Sequence, residues 1–181
     1  MSSNDTNHLS IQVIPSAFIS EQLKQDIIAL VNRAYEENVY EAFAGATHIL
    51  GSYDNVWVSH ALWITRYLQV GAAPPLRTAY VELVATEPAY QHRGFASSIM
   101  RRLIAEVQDY DLAALSPFNV AYYERLGWEL WRGPLFIRTK EALVPSPADE
   151  EVMIFRLPKT PPHKRQLKGK KGQAASKCYS F

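Results

Sequence analysis

The sequence predicts a mixed α/β fold, a mostly antiparallel mixed sheet flanked by helices, and three observations carry that expectation. Two segments have helical period. Leu23, Ile27, Leu30, Val31 and Ala34 form one apolar stripe, and Ala96, Ile99, Met100, Leu103, Ile104 and Val107 form another. Between and around them lie short runs rich in β-formers, in the order β α (α) β β β α β α β β. The strand–helix–strand around 76–116 is the central unit, expected as a right-handed parallel crossover. The chain has 181 residues, 48% hydrophobic and 20% charged, which fits one domain with a tail. A body of that size buries enough surface to fold without a staple. Cys178 is the one cysteine, so neither an internal disulfide framework nor a cysteine-built metal site is expected, and no metal is predicted.

Residues 1–9 read as disordered, 10–158 as the domain and 159–181 as a basic C-terminal tail. Ile11, Val13 and Ile14 mark a first strand closed by Pro15. Ser20 is a helix cap with Glu21 in the first turn, which places a helix over about 20–35. Residues 35–41 break that period and read as a loop or short helix. Thr47–Tyr53, the turn residues Asp54-Asn55 and Val56–Leu68 make a hairpin. Leu76–Thr86 is a strand that Pro88 stops. A strong helix follows over Gly94–Val107, then a short buried strand at Leu112–Leu115. A short helix over Ala121–Leu126 ends at Gly127, a glycine suited to a left-handed helix end. Trp128–Trp131 and Val152–Leu157 complete the strands, and Pro158, Pro161 and Pro162 end the domain. The residues beyond read as a flexible tail.

Charge narrows the partners. The net of +1 hides an asymmetry. The stretch 159–181 holds seven Lys/Arg and no Asp/Glu, leaving 12 basic against 18 acidic residues in 1–158. An acidic body draws cationic small molecules and repels nucleic acid unless the tail binds it, so no nucleic-acid partner is expected. The longest apolar runs, such as Ile27–Val31, fall far short of the roughly 20 residues that span a bilayer. The opening MSSNDTNHLS has no apolar signal core. The expectation is a cytoplasmic protein with no membrane partner.

The stretch that carries chemistry is Tyr80-Val-Glu-Leu-Val-Ala-Thr-Glu-Pro-Ala-Tyr-Gln-His-Arg-Gly-Phe-Ala96. A strand ends, a turn follows, and a helix opens on small residues that let a ligand approach the backbone. The first N–H groups and the dipole of that helix form an anion site, and a phosphate-bearing ligand is its natural guest. It is neither a Rossmann fingerprint nor a P-loop. A strand–helix turn that merely packs is the competing reading.

Gln91-x-x-Gly94-x-Ala96 after Val84-Ala85-Thr86 resembles the acetyl-coenzyme A motif, Q/R-x-x-G-x-G/A, of the GNAT acetyltransferases. Tyr122-Tyr-Glu-Arg-Leu-Gly-Trp128 is similar to the Y-E-x-L-G-F/W segment that follows the fifth strand in that superfamily. The resemblance covers roughly 11–157. Within the superfamily the chain looks most like the aminoglycoside 2′-N-acetyltransferases, on Tyr80-Val81-Glu82, Ala114-Leu115-Ser116, Trp131-x-Gly133-Pro134-Leu135-Phe136 and Asp149-Glu150-Glu151. The basic tail departs from the acidic, Trp-containing C-terminus of the gentamicin-type members and favours the branch that acetylates kasugamycin.

The resemblance implies a GNAT fold, acetyl-CoA as cofactor, a cationic amine as acceptor and direct transfer without an acyl-enzyme. It makes a homodimer compatible with this chain. Glu82 is the expected base, acting through water, because a carboxylate amid an apolar strand is costly unless paired or functional. A salt bridge across the sheet is the alternative. Tyr123 matches the family's acid, with a core aromatic as the alternative. Val84, Ala85 and Thr86 are expected to pair with the pantetheine arm like an added strand. Gln91, His92, Arg93, Gly94, Phe95 and Ala96 are expected to hold the pyrophosphate, with Ser116 and Asn119 as further coenzyme contacts. Glu36, Glu37, Glu41, Asp149, Glu150 and Glu151 are acceptor candidates, since carboxylates pair and hydrogen-bond with ammonium groups. Solvated surface charge is the plainer reading of each. Trp63, Tyr67, Trp128 and Trp131 are candidate sugar walls, with core packing favoured for Trp128. His48 and His60 read as satisfied core or surface histidines. Two alternatives stay open: a GNAT acting on a polyamine, peptide or metabolite amine, and a catalytically silent GNAT-fold binding protein.

Overall fold

A computed structural model describes residues 9–36, 45–139 and 141–162, together with the backbone of 175–178. The chain forms two compact units. One is built from the stretch up to Ile64 and from Val81–Glu106, the other from Thr65–Tyr80 and from Val107 onward. Two long strands, β3 (Val56–Val70) and β4 (Leu76–Thr86), contribute a part to each.

In the first unit, β1 (Ser10–Pro15) pairs antiparallel with β2 (Thr47–Tyr53), with Ser10 opposite Ser52 and Pro15 opposite Thr47. β2 pairs antiparallel with β3, with a register shift at Gly51/Ser52. The link between them is Asp54-Asn55, at φ 49° and 60°. Two consecutive left-handed residues match the twist of a two-residue hairpin, and Asn and Asp tolerate that region best after glycine. α1 (Glu21–Tyr35) starts where its cap predicts: the Leu23 N–H donates to Ser20 Oγ at 3.2 Å. Its buried stripe, Ile27, Leu30 and Val31, packs with Leu50 and Ala85, and Leu83 lies against the same cluster. α2 (Phe95–Glu106) buries Ile99, Met100 and Leu103 as its periodicity predicts. Gly51 lets the helix come close, since a Cβ there would meet Ile99 at 3.2 Å and Leu9 at 3.0 Å.

In the second unit the strand order is β6-β9-β5-β4-β3-β10-β7-β8. It comprises β5 (Leu112–Leu115), β6 (Glu129–Leu130), β7 (Leu135–Arg138), β8 (Leu143–Pro145), β9 (Met153–Arg156) and β10 (Ala175–Cys178), with α3 (Val120–Glu124) between β5 and β6. β9 is antiparallel to both β5 and β6. Asn119 Oδ1 caps α3 by accepting from the Tyr122 N–H at 3.0 Å. The helix ends two residues earlier than expected, and Gly127 takes φ 90° as predicted. The mixed α/β, mostly antiparallel character expected from the sequence is the observed one.

Three strands were not foreseen. β7 and β8 form an antiparallel hairpin, Phe136 opposite Pro145, closed by the Thr139 N–H donating to the Ala142 carbonyl at 2.9 Å. Each is too short to show a period. β10 runs antiparallel to β3 and parallel to β7. Its backbone sits within a stretch read from composition as a flexible tail. Nothing in Ala-Ser-Lys-Cys marks a strand, and its ladder comes from open edges on both sides. The residues read as a disordered N-terminus, apart from Leu9, and most of the tail lie outside those described.

Candidate active site

The coenzyme segment predicted at 84–96 lies in the first unit, and its strand has an unusual feature. Leu83 has φ 50°, left-handed and unfavourable for a leucine by roughly 1–2 kcal/mol. Such a residue persists only where its surroundings hold it. Here four consecutive carbonyls accept side-chain hydrogen bonds. His60 Nδ1 donates to Leu83 O at 2.9 Å, Tyr35 Oη to Val84 O at 3.2 Å, Ser59 Oγ to Ala85 O at 3.0 Å and Gln91 Nε2 to Thr86 O at 3.3 Å. Ser59 Oγ also lies 2.9 Å from Thr86 Oγ1. The predicted residues Val84, Ala85 and Thr86 are therefore set by α1, β3 and the following turn together.

The turn is anchored at its start. Glu87 donates its N–H to the Val58 carbonyl, and its carboxylate oxygen Oε2 accepts from Arg33 Nε and Nη2 at 2.9 and 2.7 Å. Pro88–Tyr90 form a single 3-10 turn. Tyr90, Phe95 and Tyr53 cluster with ring centroids 5.3 to 6.5 Å apart, and the Arg93 guanidinium lies 5.0 Å above the Tyr90 ring. His92 (φ 61°) and Gly94 (φ 81°) then turn the chain into α2. A Cβ at Gly94 would meet no protein atom within 4 Å, so the glycine is required by its backbone conformation and leaves an open approach to the helix end. Gln91, His92, Arg93 and Gly94 are exposed, while Phe95 and Ala96 are half-buried. Alternating left-handed residues before a helix N-terminus make an anion cradle. The arrangement fits a diphosphate carried at the end of an extended arm.

Glu82 is half-buried on the same strand. Its charge, after burial, is a cause of the raised pKa of the Tyr35 phenol. Glu36 follows at the end of α1, exposed and left-handed at φ 58°. Glu37 and Glu41 lie outside the described residues. Trp63 is 8% exposed on β3, opposite Thr47. His48 and His60 are both buried, as expected. His48 Nδ1 lies 3.0 Å from His60 Nε2, and His48 Nε2 lies 3.2 Å from Ser16 Oγ. Burial lowers His48 to about 4 and His60, with His48 beside it, to about 3.

In the second unit Tyr123 is 6% exposed, with its ring edge-on to Tyr122 and Trp128, and Trp128 is edge-on to Phe155. The Tyr123 carbonyl accepts from the N–H groups of Leu126 and Trp128, so the turn at Gly127 is tied to this tyrosine. Ser116 Oγ donates to the Glu151 carbonyl at 2.9 Å, and Asn119 Oδ1 is committed to the helix cap. Both coenzyme candidates thus hold structural bonds, though both are exposed. Asp149 and Glu151 are exposed and Glu150 half-buried. Tyr67 is exposed, Trp128 belongs to the core, and Trp131 lines an apolar recess with Leu68, Leu76, Leu112 and Val152. Among the described residues no group of His, Cys, Asp and Glu is arranged to hold a metal ion. None of their helices is long and apolar enough to cross a membrane.

Residues 7–131 match the family described as the acetyltransferase (GNAT) domain, which is more than half of the chain. The chain belongs to the GNAT acetyltransferases. It is 25% identical over 154 residues to the aminoglycoside 2′-N-acetyltransferase of Mycolicibacterium fortuitum, covering 81% of this chain and 78% of that one. In fold it is similar to the GNAT family N-acetyltransferase YhbS of Escherichia coli, solved in complex with CoA. The TM-score is 0.63 at 14% identity, over 98% of this chain and 93% of that one. It also resembles a GCN5-related N-acetyltransferase from Kribbella flavida at 20% identity and a TM-score of 0.56. That match covers 70% of this chain and 34% of the other, so the GNAT chain spans about a third of that structure.

The sequence missed Tyr35, Ser59 and Ser16. Tyr35 falls where the helical period breaks, and Ser16 and Ser59 sit in no motif. Their roles depend on pairing between distant segments.

Proposed function

We propose that this GNAT enzyme moves an acetyl group from acetyl-CoA to an amine, the 2′-amino group, of a cationic aminoglycoside, a modification that would confer resistance. The observation that carries the reading is the cradle itself, a strand with side-chain-set carbonyls running through two left-handed residues into α2. The 25% identity to an aminoglycoside 2′-N-acetyltransferase supports the acceptor class.

Acetyl-CoA supplies the acyl group as a thioester whose sulfur leaves. Val84, Ala85 and Thr86 receive the extended arm, and Gln91, His92, Arg93, Gly94, Phe95 and Ala96 receive the diphosphate at the start of α2. An alkylammonium of pKa near 10 must lose a proton before its nitrogen attacks, at a cost of roughly 4 kcal/mol at neutral pH. Glu82 takes that proton through water. As the new C–N bond forms and the C–S bond breaks, the Tyr123 phenol gives its proton to the sulfur; the nitrogen sheds its second proton as it becomes an amide, which restores the phenol, and the proton taken by Glu82 passes to solvent. Each transfer is worth on the order of 10²–10⁴ in rate. Glu36, Asp149, Glu150 and Glu151 supply negative charge for the polycationic acceptor, consistent with the acidic stretch 1–158. The basic tail in place of an acidic one favours a small acceptor of the kasugamycin kind.

The test is thiol release from acetyl-CoA with kasugamycin, gentamicin, tobramycin, spermidine and a lysine peptide. Turnover with one or more aminoglycosides at a kcat/KM at least about 100-fold above spermidine and the peptide is expected for a built site. Higher kcat/KM on spermidine or the peptide would overturn the acceptor assignment.

A further inference from the structure

The chain from Ser16 to Leu83 is unusual for its proton count. Ser16 Oγ donates to the Ala46 carbonyl at 2.8 Å, faces His48 Nε2 at 3.2 Å, His48 Nδ1 faces His60 Nε2 at 3.0 Å, and His60 Nδ1 faces the Leu83 carbonyl at 2.9 Å. Both ends are carbonyls, which only accept. Four links need four protons, and a hydroxyl with two neutral imidazoles supplies three. The Leu83 carbonyl can be served only if His60 carries its proton on Nδ1. His60 Nε2 is then an acceptor and must receive the Nδ1 proton of His48. The shortage falls at the Ser16 hydroxyl, whose one proton faces two acceptors, the Ala46 carbonyl and His48 Nε2. Both rings stay neutral near pH 7 because burial opposes their charge.

We propose that His60, with its tautomer fixed by His48, is a positioning residue for acetyl-coenzyme A: its Nδ1–H holds the Leu83 carbonyl in the left-handed bend and so presents Val84–Thr86 to the coenzyme arm. The inference rests on the reading of 84–96 as the coenzyme segment. Leu83 bears an unfavourable φ, so releasing its carbonyl removes what opposes relaxation to extended backbone. A relaxed Leu83 would rotate the neighbouring peptide groups, which is where an added strand reads hydrogen bonds. His60 is fully buried, as is Ala85, whose carbonyl Ser59 holds. The device is therefore set inside the core and acts on Val84–Thr86 through backbone alone.

The experiment is calorimetric titration with coenzyme A of wild type, His60→Leu, His60→Asn and Gly94→Val. The Asn side-chain nitrogen is attached through the same bonds as His Nδ1 and can donate to Leu83, whereas Leu fills the space and cannot. His60→Leu should lose coenzyme affinity about tenfold or more, and His60→Asn should recover to within about threefold of wild type. In steady state the loss should appear in KM for acetyl-CoA rather than kcat. Equal affinities for the Leu and Asn variants, both normal or both weak, would overturn the proposal. If Gly94→Val binds coenzyme A like wild type, the coenzyme segment is misread and the inference falls with it. If Gly94→Val fails to bind while His60→Leu binds normally, only the inference falls. Nitrogen NMR of the wild-type histidines needs no folded variant: it should find Nδ1–H on His60 and His48, and an Nε2–H tautomer of His60 would overturn the assignment.

Discussion

Leu83 and Gly94 show how single residues bend an ordinary strand and the turn before a helix. Gly94 was legible because a motif demands it and φ 81° confirms the demand. Leu83 was not, since nothing about leucine announces a left-handed backbone, and its cause lies on β3 in His60. Glu82→Gln should lower kcat by about 10²–10⁴ with coenzyme affinity unchanged, and should flatten the rise of rate with pH. An unaltered pH profile would remove it as base. Tyr123→Phe should lower kcat while leaving the acceptor KM near wild type, whereas a wild-type rate would leave Tyr123 a core aromatic. The buried histidines also predict an acid response. Their folded pKa values, about 4 and about 3, lie below the unfolded value near 6.5. The unfolded chain therefore binds protons first, and their contribution to stability is complete above pH 6.5 and is lost as pH falls toward 4. Tm measured between pH 7 and 5, where carboxylates remain ionised, should fall in wild type and fall less steeply in His60→Asn.

At the scale of elements, periodicity and punctuation did most of the work. The stripe of α1 and its Ser20 cap, the Asp54-Asn55 hairpin and the apolar face of α2 each follow from local physics, and each is found where expected. Ser20→Ala should destabilise the fold by about 1 kcal/mol in chemical denaturation, with the denaturant dependence unchanged. The β7–β8 hairpin and β10 were illegible for the opposite reason. Strands of three or four residues carry no period, and β10 is defined by its backbone pairing with β3 and β7. The acceptor candidates fare similarly. Glu36 and Asp149 are exposed carboxylates, for which composition reports charge but not direction.

At the scale of the molecule, the family membership, the coenzyme cradle and the acidic stretch 1–158 bear on one chemistry, acyl transfer to a cation. The bend into α2 at Gly94 was readable because a left-handed backbone turn leaves a mark in glycine spacing. The acceptor was readable only as charge. The measurement that tests the central claim most directly is the structure of the product, by mass spectrometry and NMR, after incubation with acetyl-CoA and either kasugamycin or gentamicin. The account predicts a single new acetamide on the 2′-nitrogen of the aminoglycoside, with coenzyme A released in equal amount. Recovery of both drugs unmodified, from protein that binds the coenzyme, would contradict it.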